Sequence, residues 1–142
     1  YFFMSTFTLK CKLTKRDVEI LSILWNSNRS MTASEISEAS PGLSVNTVQA
    51  VLRKLLKNKL IEIENIVYSG TVLARSYIPL ITAQDYALAK LAMDYQKFEK
   101  QISKGAVLVT LLDLENDPQK NSEEAQELEK ILEEYKKRKS IE

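Results

Sequence analysis

The sequence predicts a mainly α-helical protein with one small β-hairpin. Three observations carry that expectation. Hydroxyl residues stand before runs whose apolar side chains recur at three- and four-residue spacing, and the apolar period shortens to about two between Leu60 and Ile78. The second half then returns to long apolar helices that a single chain has no obvious place to bury.

The first helix opens at Thr14, with Asp17 three positions later. The hydroxyl can accept from the Asp17 amide while the carboxylate answers back and favours the positive helix end. Val18, Ile20, Leu21, Leu24 and Trp25 form its expected buried stripe. Thr32 and Glu35 repeat the box for a short second helix with Ile36 and Ala39 inward, and Pro41-Gly42 then forces a turn. Ser44 caps a third helix to about Asn58, in which Val45, Val48, Val51, Leu52, Leu55 and Leu56 recur on one face. A strand is expected from Leu60 to Ile66, a turn at Ser69-Gly70 and a second strand from Ala74 to Ile78. This order of elements is a winged helix-turn-helix, with the hairpin as the wing.

Thr82 and Asp85 begin a long helix expected to run to about Ile102, with Gly105 as its C-terminal stop. Ala106 to Leu114 is almost wholly apolar, and a last helix is expected from about Glu123 with Ala125, Leu128, Ile131, Leu132 and Tyr135 on one stripe. Burial by a second copy in a two-fold homodimer is the economical answer, the alternative being a helical subdomain folding on itself. The predicted organisation is thus a winged-helix DNA-binding domain over 1–81 and a helical dimerisation domain over 82–142. The Lys136 to Lys139 run reads as a solvated helix C-terminus.

Composition agrees with this reading. The 142 residues include only 3 Gly and 3 Pro, with 44% hydrophobic and 27% charged, the profile of a regular helical domain rather than a disordered chain. No run approaches the roughly 18 apolar residues a membrane helix needs, and no signal pattern opens the chain, so a cytoplasmic protein without membrane contact is expected. With no histidine and one cysteine, Cys11, the usual metal sites cannot be assembled, no cofactor is expected, and Cys11 reads as an incidental thiol. The same inventory, lacking also a phosphate-cradling glycine loop, argues against an enzyme. The net charge of +1 conceals an asymmetry: residues 1–82 hold 10 Lys+Arg against 6 Asp+Glu, residues 83–142 hold 10 against 13. A basic front half suits a nucleic-acid partner.

In a helix-turn-helix the start of the second helix enters the major groove and presents side chains to base edges. Asn46, Thr47 and Gln49 occupy that part of the third helix here, and Ser44 at its cap is a further candidate contact. Asn and Gln can bond adenine N6 and N7, and a Thr methyl can pack on thymine, which points to an A·T-containing half-site. Arg53 and Lys54 lie further along, where phosphate is the natural partner. The amides and hydroxyls of Thr32, Ala33 and Ser34 at the second helix start are also suited to phosphate, and Arg75 to phosphate or the minor groove. The rival expectation is a winged helix used only for protein contacts, without DNA binding.

Several of these motifs also carry a resemblance. Thr14, Asp17, Ile20-Leu21 and Leu24-Trp25, then Thr32-Ala33 and Glu35-Ile36, then Val45, Thr47-Val48, Leu52, Leu55 and Lys59-Leu60-Ile61, and finally Arg75 to Leu80 with Asp85-Tyr86 resemble the penicillinase repressor family. That family includes the β-lactamase and methicillin-resistance repressors and copper-responsive repressors. The resemblance covers about residues 13 to 90. It implies a homodimeric transcriptional repressor on a palindromic double-stranded DNA operator, commonly with TACA/TGTA-like half-sites. It also implies that Asn46, Thr47, Gln49, Ala50 and Lys54 contact the DNA. The chain lacks the cysteine-rich hook of the copper-responsive members. It also lacks, near Val109 to Leu112, the Asn-Phe bond at which penicillinase repressors are cleaved, so an upstream sensor or protease partner is implied by resemblance alone.

Overall fold

In the computed structural model of the chain, residues 12–141 are described, and the expectation for Cys11 lies outside them. Two compact units divide the chain, the first ending at Met93 and the second beginning at Asp94. The division falls inside one helix.

The first unit follows the order α1 (Lys15–Ser27), β1 (Met31–Thr32), α2 (Ala33–Ala39), α3 (Val45–Lys57), β2 (Ile61–Ser69), β3 (Val72–Pro79) and the start of α4 (Ala83–Phe98). The capping boxes expected at Thr14 and Thr32 both form. Asp17 N–H donates to Thr14 Oγ1 at 3.2 Å while the Asp17 carboxylate accepts from Thr14 N–H at 2.9 Å. Thr32 and Glu35 repeat this at 3.2 and 3.0 Å. Ile20, Leu21 and Leu24 of α1, Ile36 of α2, and Val48, Leu52 and Leu55 of α3 meet in one core, closed by Ile61 and Ile81. Trp25 ties the linker after the wing to α1, its Nε1 donating to the Ile81 carbonyl at 2.8 Å, and its ring lies 5.9 Å from that of Tyr86.

Ala39 is exposed rather than inward. The α2 helix ends there, and the neighbouring Ser40 turns in instead, its buried hydroxyl donating to Glu19 Oε1 at 2.7 Å. The end of α3 is a left-handed cap: Lys59 has φ 60°, with Lys59 N–H on Leu56 O at 3.1 Å and Leu60 N–H on Leu55 O at 3.0 Å.

The sheet has three antiparallel strands in the order β1-β3-β2, one more strand than the sequence suggested. Met31 and Thr32 pair with Tyr77 and Ser76, a two-residue strand too short for any periodicity to reveal. Both hairpin strands extend beyond their expected ends, meeting at Ser69 and Val72 around Gly70, whose φ of 69° suits the turn. A bulge interrupts β2 between Ile63 and Asn65, where the buried Ser76 hydroxyl donates to Asn65 O at 3.2 Å.

In the second unit, α5 (Lys104–Asp113) and α6 (Pro118–Ile141) follow the end of α4. Gly105 is not a stop: α4 ends earlier, at Phe98, and Gly105 lies in the first turn of α5, which Ser103 caps through Ala106 N–H at 3.0 Å. The α6 helix starts at Pro118 rather than Glu123, because Asp117 accepts from Gln119 N–H at 3.0 Å and proline suits a first helical position. Asn121 Nδ2 donates to Leu112 O at 2.6 Å, tying α6 to α5. No residue of α5 is buried, and Leu111 is 58% exposed. No described helix is long and apolar enough to cross a membrane.

Candidate nucleic-acid interface

The amphipathic pattern of α3 decides what it shows to solvent. Burying Val48, Val51, Leu52 and Leu55 turns Asn46, Gln49, Ala50 and Arg53 outward, and all four are exposed. Ser44 caps the helix, accepting from Thr47 N–H at 3.2 Å, and its hydroxyl lies 3.0 Å from that of half-buried Thr47. The expected base-reading residues therefore share one solvent-facing surface at the start of α3.

Two clefts flank that surface. On the wing side, Ala33 and Ser34 of α2, Gln49 and Arg53 of α3, and Arg75 and Tyr77 of β3 line an open groove of about 590 Å³. Five residues expected from sequence alone are thus neighbours, although they come from three elements. On the α1 side, Thr47 and Ala50 face Lys15, Arg16 and Glu19 across a second cleft. Lys15 and Arg16 were not among the expected contacts, because nothing in the first helix marks it as adjacent to the third before the chain folds. Among the described residues, Lys15, Arg16, Arg53 and Arg75 have no ion-pair partner. Four free cations around one polar helix face suit a polyanion.

Two of the expected contact residues have partners within the chain. Thr32 is 3% exposed, with its amide and hydroxyl both engaged by Glu35 and its backbone paired to Ser76, so the expected exposed groups at the start of α2 reduce to Ala33 and Ser34, both half-buried. Lys54, with its side chain 36% exposed, is engaged within the chain. Its ammonium donates to Asp17 Oδ2, and to the Lys12 carbonyl at 3.1 Å. Burial alone would push the Asp17 carboxyl up, but the Lys54 ammonium and the Thr14 amide outweigh it and hold the group below the usual carboxylate range. The Thr32 amide, with help from Arg29, likewise keeps Glu35 low against the opposing effect of burial.

The wing differs from a purely basic one. From Ile61 to Ala74 it carries no Lys or Arg, while Ile66, Tyr68, Val72 and Leu73 are exposed. A separate open cavity of about 670 Å³ beside Trp25, Asn28 and Ile81 lies away from α3; the Trp25 donor there is already spent on the chain itself.

The sequence profile described as penicillinase repressor matches residues 13–134, most of the chain. The chain belongs to the penicillinase repressor family. Comparison with curated proteins returns no match. Among solved structures, the chain is similar to MepR, a transcription regulator of the Staphylococcus aureus multidrug efflux pump MepA. The identity is 19% and the TM-score 0.41, over 87% of this chain and 81% of that one. It is also similar to NMB1585, a MarR family regulator from Neisseria meningitidis, with 22% identity and a TM-score of 0.40, over 87% and 81%. Against GAS PerR the identity is 19% and the TM-score 0.37, and 49% of this chain spans 45% of that structure. As a penicillinase repressor family member the chain is a DNA-binding transcriptional regulator, and the winged helix is the part whose geometry suits that task.

Proposed function

We propose that this repressor works in the cytoplasm as a homodimer on a palindromic operator, each copy placing α3 in the major groove. Residues 1–81 bind the duplex and 82–142 hold the two copies together. The observation that carries this reading is the exposed polar face of α3, flanked by free cations on both sides. Asn46, Thr47 and Gln49 read base edges, with Ala50 beside them allowing close approach. Arg53 and Arg75 meet phosphate from the wing side, Lys15 and Arg16 from the α1 side, and Ser34 and Ser44 add hydroxyl contacts. Dimerisation is supported by Val109, Leu111, Leu114 and Leu132, large apolar side chains that the second unit leaves exposed. An upstream sensor or protease acting at Thr110-Leu111 has to unwind α5, since that bond lies inside the helix.

Selection of bound sequences from a random duplex pool tests the reading: a palindrome is expected, bound with an affinity that falls by about 0.9 log units per log unit of salt for each phosphate neutralised. The exposed apolar side chains of the wing, Ile66, Tyr68, Val72 and Leu73, favour a second reading, a protein-interaction module without DNA binding. Absence of duplex binding at low salt would establish that reading instead.

A further inference from the structure

We infer that Lys54 is a positioning residue, a latch that fixes how α3 is rotated about its axis, rather than a contact to the DNA backbone; this rests on the proposed DNA-binding reading. The Asp17 side chain is 4% exposed and Lys54 36%, so the pair sits at the edge of the core. Asp17 Oδ2 receives both the Thr14 amide and the Lys54 ammonium, and the same ammonium reaches the Lys12 carbonyl. Two of its three protons are therefore committed to α1 and the residue region just before it.

Moving Lys54 out to a phosphate strands the Asp17 carboxylate, buried and without a countercharge, which is costly. The cation stays with Asp17. Thr47 and Ala50 lie on the same side of α3 as Lys54, facing α1, whereas Gln49 and Arg53 face the wing. Pinning the α1 side thus sets the direction in which Gln49 and Arg53 point. Base reading tolerates little error in that direction, and the groups that hold a reading side chain in place matter as much as the reader. The phosphate on this side is left to Lys15 and Arg16, which have no partner among the described residues; Glu19, the other carboxylate in the cleft, is engaged by the Ser40 hydroxyl.

The test measures binding to a selected operator and to random duplex across a salt series, for the wild type, Lys54→Met, Asp17→Asn, their combination, and Arg53→Met as a phosphate-contact control. Circular dichroism melting sets an assay temperature at which every variant is folded. The latch predicts that Lys54→Met and Asp17→Asn each weaken operator binding by about 2- to 30-fold, the range for residues that act without touching the ligand. Both lower the operator-over-random ratio, the combination costs no more than the worse single change, and the salt slope of Lys54→Met equals that of the wild type. Arg53→Met instead reduces that slope by about 0.9. A comparable slope reduction in Lys54→Met, with equal losses on both duplexes and no effect of Asp17→Asn, overturns the latch alone. If Lys54→Met does not fold, the combined variant, which removes both charges, takes its place: an unchanged slope with a lowered ratio supports the latch, and a reduced slope overturns it. No duplex binding by the wild type overturns the DNA-binding reading and the latch with it.

Discussion

The two units of this chain bury their apolar residues in opposite ways. Among the described residues, every large apolar side chain that is fully buried lies at or before Ile81, in the core formed by α1, α2, α3 and the sheet. The second unit has helices of comparable regularity, yet α5 buries nothing and Leu111 and Leu114 stand open. Regular secondary structure is therefore no measure of a finished core: capping and helix propensity form the elements, and only packing partners stabilise them.

The sharpest way to break this contrast is to truncate both sides of it. Leu55→Ala in the first unit removes a fully buried side chain and is expected to cost about 2–5 kcal/mol in chemical denaturation. A cost below about 1 kcal/mol means that the first core is not closed as described. Leu111→Asp is expected to weaken self-association by roughly 2 kcal/mol or more while leaving the first unit folded, as sedimentation at several concentrations will show. An unchanged association constant assigns the α5 face to something other than a second copy.

Within the first unit, Gln49→Ala is expected to cost about 1–3 kcal/mol at one base pair and to relax preference there. Equal losses on operator and random duplex count against Gln49 as a reader. Lys59→Gly is expected to stabilise the unit by up to about 1 kcal/mol, since the position holds φ 60° and glycine adopts it without strain. A lower melting temperature contradicts the left-handed cap.

The last and most gradual expectation concerns acid. Asp17 and Glu35 are held below their ordinary values of 3.8 and 4.5, so their contribution is complete above those values and is lost as pH falls through the lowered ones. Stability flat above about pH 5 and declining below about pH 4 is expected in a denaturation series. Removing Asp17 should flatten part of that decline, and an unaltered acid limb in Asp17→Asn speaks against its lowered ionisation.

Much of this architecture was legible before folding, for identifiable reasons. The caps at Thr14, Thr32 and Ser44 are local, three residues long, and form as the sequence implies. The exposed face of α3 follows from period alone. What was not legible was non-local. Lys54 reads as a phosphate ligand on its own helix, and its ion pair with Asp17, 37 positions away in sequence, has no local signal. Thr32 reads as an exposed cap until β1 pairs it with Ser76, and the α1-side cations become visible only once α1 lies beside α3. The start of α6, by contrast, was available locally in Asp117-Pro118.

The bulge at Asn65 has a bearing on solubility. Among the described residues no strand pairs with the outer edge of β2, which is nine residues long with Ile63, Ile66 and Tyr68 exposed along it, an arrangement that invites another chain to add a strand. Glu62 and Glu64 place carboxylates beside that edge, and the bulge between Ile63 and Asn65 breaks its regular run of hydrogen-bonding groups. Charge and an irregular ladder along this edge thus both oppose strand addition by another chain.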